Sequence, residues 1–501
     1  MDNVIHFNTS TQKQRWKAIH YILGNKTFEK LAAMSLIANL VVYMHTKYNM
    51  DNVHLANAFN MWSGFTNVLP LLGAFIADTY LGRFHTIVFG TGALLLGMGI
   101  MALTAGMPRL RPSSCIDKSN CPRPQSWQLA ILPGLDTRTE EGRAQLESFC
   151  NWWYFLFSWL LGFVIPTCCL ALSFTIFLLG RNTYICVKPN GSIFAEMAKV
   201  IIAAYRKNHS TKGQPSPQSF YDPLIIESED SETHRTMLGY TDTFKFLDKA
   251  AAITDPSELD NQGKPKNGWI LCSLQQVEEL KCMIGVLPVW LSGIRCFLAM
   301  TQMSSFGILQ AIQMKRLVGP HFQIPPAWMG LKPMIALSTW TCIYEGVYVP
   351  LMQKRAKKNK RLTMEQRIMI GIVMAILCMM SPITMALLVP KFALSGWIEA
   401  FAAIAMMESL TTQCPESMKT FGGAVFFLGL SLASYLSTIL VSIIYKVTGL
   451  NGKFPRLDGN DLNKNRLDFF YFTIAALSAL NLLYFYVFAR RYLRYSEPQK
   501  S

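Results

Sequence analysis

Within residues 24–32, which read GNKTFEKLA, Lys26, Glu29 and Lys30 stand within two turns of one another, and an apolar run from Leu31 to Met44 follows at once. On a helix, residues three and four apart share a face. A carboxylate beside two amines there could do one of two things. It could be a solvated helix start, or it could exchange a proton and so change the charge of a buried cavity. A second acid, Glu408, sits alone in the apolar stretch AFAAIAMMESL. A charge inside a membrane span is costly and marks a functional site by default; the bland reading of Glu408 is a partner for a nearby lysine. Arg295 and Lys332 are cations inside other apolar stretches. Each could bind an anion, pair with Glu29 or Glu408, or be an oddity of this chain.

The elements that must position these charges are membrane helices. The chain has 501 residues, 51% of them hydrophobic and only 16% charged, with a mean hydropathy of +0.23. A span needs about 20 mostly apolar residues. Candidate spans are 28–46, 55–78, 86–106, 152–180, 282–311, 327–350, 368–389, 392–412, 421–446 and 467–489. A soluble core stops growing near this chain length, so a set of this size belongs in a bilayer. The first 27 residues are polar and show no cleavage site, which makes the first span its own insertion signal.

The net charge of +16 gathers in residues 13–17, 206–213, 354–361 and 489–495. The positive-inside rule accounts for these clusters without nucleic acid, and it places both termini and the polar segment 181–281 in the cytoplasm. That segment contains IFAEMAKVIIAAYRK (193–207), whose helical periodicity reads as an amphipathic helix at the membrane surface. Two groups of spans flank it: 1–180 as an N-terminal bundle and 282–492 as a C-terminal one. Most cysteines lie within apolar spans as small hydrophobes; Cys115 and Cys121 share a loop on the opposite side and could pair there. No phosphate loop, nucleophile elbow or metal-spaced Cys/His set is present, so neither an enzyme nor a cofactor is expected. The sequons at 190–192 and 208–210 fall on the cytoplasmic side.

The ordered motifs GAFIADTYLGRFHTI (73–87), FCNWWYF (149–155), FKFLDKAA (244–251), QVEELK (276–281), LPVW (287–290), CPESMKTFGGAVFFL (414–428) and DLNKNRLDFFYF (461–472) resemble the plant nitrate/peptide transporter family. FEKLA and the closing segment are similar to the subgroup of nitrate-excretion and glucosinolate transporters. The resemblance implies an all-α major facilitator fold, two helical bundles that rock about a midplane cavity. Its partners would be a small-molecule substrate, protons and the lipid bilayer, in the plasma membrane or, alternatively, the vacuolar one.

The family has twelve spans. Here the fourth is missing and the fifth and sixth are fused, so two helices of the N-terminal half are absent. A shorter gap falls at 378–392. The family's first helix carries Glu-x-x-Glu followed by a base, and this chain has Lys26 in place of the first acid, then Glu29 and Lys30. A lysine stays cationic through the working pH range, so the motif has lost one proton-exchanging group. The resemblance further implies that Glu408 contacts substrate and that Asp78 and Arg83 bridge helix ends. It makes Tyr344 and Glu345 a gate contact, with Gly346 replacing a common arginine. Met300 stands where a nitrate-transporting member has histidine, and Gly285 where the family has arginine. The expected function is proton-coupled movement of nitrate, a small anionic or glycosylated metabolite, or a peptide, with impaired coupling. The alternative is a truncated membrane isoform that does not transport.

Overall fold

The computed structural model describes residues 19–29, 32–33, 35–37, 40–45, 48, 50–107, 159–183, 193–210, 220–222, 239–260, 265–314, 317–318, 322–323, 326–356, 361–381, 385–413, 419–450 and 467–495. Nearly all of them are helical. A helix is already running at residue 19 and continues through 29. It is followed by α1 (Asn52–Ile76), α2 (Gly82–Gly106), α3 (Trp159–Leu179) and α4 (Ile193–Ser210). The second half holds α5 (Leu274–Gln302), α6 (Ile308–Gln313), α7 (Lys332–Ile343), α8 (Val349–Ala356), α9 (Met364–Met380) and α10 (Met385–Ile398). It closes with α11 (Ile404–Gln413), α12 (Lys419–Leu450), α13 (Leu467–Tyr484) and α14 (Arg490–Tyr495). One antiparallel pair of two-residue strands, β1 (Leu317–Val318) and β2 (Phe322–Gln323), forms the sole ladder among the described residues. Single π-helical turns join α5 to α6, α7 to α8 and α10 to α11, so each of these pairs runs as one rod.

Among the described residues, six helical runs are long and apolar enough to cross a bilayer: 52–103, 162–179, 274–313, 389–411, 422–447 and 467–493. Several boundaries differ from the sequence expectation, each for a local reason. The 282–311 span begins eight residues earlier, at Leu274. Its first turns are polar and hydropathy misses them, but Ser273 and Gln276 form a reciprocal capping box that starts the helix. The break expected after 389 falls after Met380 instead, where Ser381 is extended (ψ 131°). Pro382 follows it and disfavours helical geometry at the residue before. Of the span expected at 152–180, the described part is the single 21-residue helix α3.

Small residues set the helix approaches. A Cβ on Gly64 would lie 2.6 Å from the Tyr435 ring, so α1 and α12 meet closely there. At Gly371 the backbone of Ala402 would be 2.8 Å from an added Cβ, which holds α9 against the α10–α11 rod. Polar contacts run along the same α1–α12 seam. Asn60 donates to the Ser437 hydroxyl (2.7 Å), Gln302 of α5 donates to that same oxygen, and Asn57 donates to Ser442 (3.4 Å). This seam ties the first half to the second.

The described parts of the polar middle segment pack together. Val200, Ala203 and Ala204 of α4 are buried against Leu247, Ala250, Ala251, Cys272, Val277 and Leu280. One face of α4 is therefore covered by protein; Ile201 and Tyr205, 50% and 68% exposed, lie outside that cover. Two buried lysines fasten the module. Lys281 Nζ lies 2.6 Å from Asp248 and 2.7 Å from Glu278, and donates to the Thr241 carbonyl (2.8 Å). Lys207 pairs with Glu258 at 3.0 Å and donates to the Ala252 carbonyl.

Candidate functional site

Lys26 Nζ and Glu29 Oε2 are 2.8 Å apart, with side chains 64% and 30% exposed. Because the helix is already formed at residue 19, the pair lies inside it. Their partial exposure is that of a solvated ion pair within the helix. The same helix is tied to α3, where the Ser173 hydroxyl donates to the Asn25 carbonyl (2.8 Å) in a buried contact. Lys30, the third member of the motif, lies outside the described residues, as do Cys115 and Cys121.

Asp78 and Arg83, which the resemblance pairs across helix ends, lie close together. Arg83 Nε is 3.6 Å from Asp78 Oδ1, with the arginine exposed and the carboxylate mostly covered. The turn between α1 and α2 makes this possible. Asp78 sits in a π-helical turn (Ala77–Leu81) whose C-terminal neighbour Gly82 has φ +73°. Only glycine adopts that conformation readily. Tyr344 and Glu345 lie in the π-helical turn Tyr344–Tyr348, and both reach the segment leading into α9. Glu345 pairs with Arg361 (3.2 Å), and the Leu362 amide donates to the Tyr344 hydroxyl (3.1 Å).

The four cavity candidates are not brought into one cluster. Glu408 of α11 accepts from Arg367 of α9, with Nη1 to Oε2 at 2.5 Å. Its partner is thus an arginine of the neighbouring helix. Arg295 instead lies 4.9 Å above the Tyr484 ring, a cation–π placement. Lys332, at the first position of α7, reaches the Met329 sulfur at 3.0 Å. Among the described residues, Glu29 is paired with Lys26 and Glu408 with Arg367 rather than with either of these cations. Met300 packs half-buried against the main core.

Sequence reasoning missed two residues. Arg367 follows the Thr363–Gln366 capping box that opens α9. A lone arginine one turn into an apolar run was the available signal. Lys391 is 1% exposed, and its amine, 3.5 Å above the Tyr471 ring, makes no hydrogen bond among the described residues. A lysine inside ALLVPKFALSGW was equally legible as an intramembrane charge.

Apolar helical rods of spanning length among the described residues, one of them bearing a carboxylate held by an arginine, are the elements of a multi-pass membrane protein. Comparison with known proteins gives the family. A family model described as the POT family matches residues 143–382. Protein NRT1/PTR FAMILY 2.8 of Arabidopsis thaliana is 44% identical over 550 aligned positions, covering 97% of each chain. Protein NRT1/PTR FAMILY 2.13 of the same plant is 36% identical, covering 95% of this chain and 87% of its own. Among solved structures, the POT family transporter PepTSo superposes with a TM-score of 0.61 at 15% identity, covering 95% of this chain and 98% of its own. A peptide transporter POT in complex with sulfate gives 0.55 at 14% identity, with 95% of each chain covered. The chain belongs to the NRT1/PTR group of POT-family transporters, and its fold is theirs.

Proposed function

We propose that the chain is a carrier working by alternating access, with the Arg367–Glu408 pair as its substrate-responsive element. That pair is the observation that carries the reading: a carboxylate on a spanning helix, bound by a cation on the next helix, is poised to exchange partners when a charged cargo arrives. The cargo class is a nitrate-sized or small organic anion, or a short peptide. POT relatives solved with sulfate and with 5-aminolevulinic acid support small charged ligands for the fold. Proton coupling is ancestral and weakened here, because Lys26 holds Glu29 in a motif that has lost its first acid. Residues 1–180 and 282–492 form the two halves, with the linker and both termini in the cytoplasm and the plasma membrane as the site of action, the vacuolar membrane being the alternative.

One observation favours a second reading, a membrane isoform that does not transport. The alignment to the 44%-identical relative spans 550 positions whereas this chain has 501 residues, so at least 49 positions of the relative have no counterpart here. That number of unmatched positions is enough for two spans of about 20 residues. Uptake of nitrate and of a dipeptide in oocytes, at acidic and at neutral external pH, separates the two. Saturable uptake above that of uninjected cells supports the carrier. Surface-localised protein without uptake of either supports the isoform.

A further inference from the structure

A cavity of about 210 Å³ opens beside the first turns of α5, lined by Met197, Met283, Leu287, Trp290, Val425 and neighbouring apolar side chains. We infer that this cavity holds an acyl chain of an anionic phospholipid from the leaflet on the linker side.

Depth supports the assignment. Lining runs along α5 from Leu280 to Trp290, about 15 Å at 1.5 Å per residue. That equals one leaflet's share of a hydrocarbon core about 30 Å thick. The rim is apolar as well. Leu287 and its neighbour one turn on, Leu291, are 43% and 47% exposed. The mouth therefore opens onto hydrocarbon rather than water.

The headgroup level is marked by α4. Met197, which lines the cavity, lies in one row with the exposed Ile201 and Tyr205, four residues apart each time. Lys199 and Arg206, seven residues apart, form one polar stripe on the other side of the covered face of α4. Lys199 Nζ stands 6.0 Å over the ring of Trp269, which is 40% exposed. Tyrosine and tryptophan at such a level, with cations beside them, are how proteins meet the headgroup region. The acid of α4, Glu196, belongs to the inward row of Ala203 instead. Cations near the surface of an anionic leaflet attract it.

The test uses the full chain in phosphatidylcholine nanodiscs doped with phosphatidylglycerol carrying brominated acyl chains, or with brominated phosphatidylcholine. Bromine quenches tryptophan on contact, and the difference between the native chain and Trp290→Phe isolates the Trp290 emission. The expected result is quenching of that component, stronger with the brominated phosphatidylglycerol. Val425→Phe and Met283→Phe keep Trp290 but fill the cavity, and each should lose the quenching. Lys199→Gln combined with Arg206→Gln should lose the preference for phosphatidylglycerol and keep the remainder. Because the filling variants report without removing the indole, a misfolded Trp290→Phe does not decide the outcome. Quenching unchanged in both filling variants overturns the inference, as does equal quenching by the two lipids. Trp290 shielded by nitrate or a dipeptide but untouched by either lipid also overturns it, since the cavity would then belong to an aqueous pathway.

Discussion

Arg367 donates to Glu408 across the gap between α9 and α11, and the carboxylate remains 44% exposed on its other side. Half-open to solvent, the pair adds little stability, about 1 kcal/mol or less. Its value lies in being breakable. Glu408→Gln should abolish substrate- and pH-dependent uptake while protein abundance is unchanged. Arg367→Gln should do the same, and the double variant should be no worse than either single one, because the two act as a unit. Uptake assays on the three variants check this; unchanged transport in Glu408→Gln removes the residue from the site.

Lys26 and Glu29 form a closed pair at 2.8 Å. In a chimera whose N-terminal half is completed with the missing positions of the 44%-identical relative, Lys26→Glu should restore steep acid-stimulated uptake. The same chimera with Lys26 retained should show weak dependence on the proton gradient. Equal proton-driven currents from both would mean that the lysine is a bystander.

Lys281 is 1% exposed and faces two carboxylates, Asp248 and Glu278. Lys281→Met leaves both acids buried without a counter-ion, at a cost of about 3–5 kcal/mol. Thermal unfolding should fall accordingly, and protease cleavage within 239–260 should precede loss of the spans. A melting curve superposable on that of the native chain would refute the assignment of Lys281 as the fastener.

Burial pushes the Cys272 thiol up to about 11, opposed in part by the nearby Lys207 and Lys199. Maleimide should therefore fail to label it in the native chain at neutral pH and should label it after denaturation. The sign follows from linkage: the folded state holds the proton more tightly than the unfolded one. The contribution to stability is full below the free thiol value, about 8.5, and is lost as pH rises through about 11. Ready labelling of Cys272 in the native chain contradicts this.

Much of the helical framework was readable because bilayer thickness imposes a run length on any span, and runs survive in composition. The contact of Asp78 with Arg83 is local, since one turn joins them. Pairings between distant helices were not readable. Arg367 and Glu408 are 41 residues apart, and nothing in local periodicity says which faces of α9 and α11 will meet. The docking of α4 shows the same limit. Its repeat announces an apolar face, but protein and lipid satisfy such a face equally well. Only the fold shows that Val200, Ala203 and Ala204 meet Leu247 and Val277.

The fastening of the linker to α5 has a mechanical consequence. Lys281 fastens Thr241 and Asp248 to the base of α5, and Lys207 fastens α4 to Ala252 and Glu258, so this part of the linker is anchored on the second half. A force applied to it is delivered as torque on α5, and through Gln302 on the seam that the two halves share. Anything that grips the linker from outside the membrane thus grips a crank.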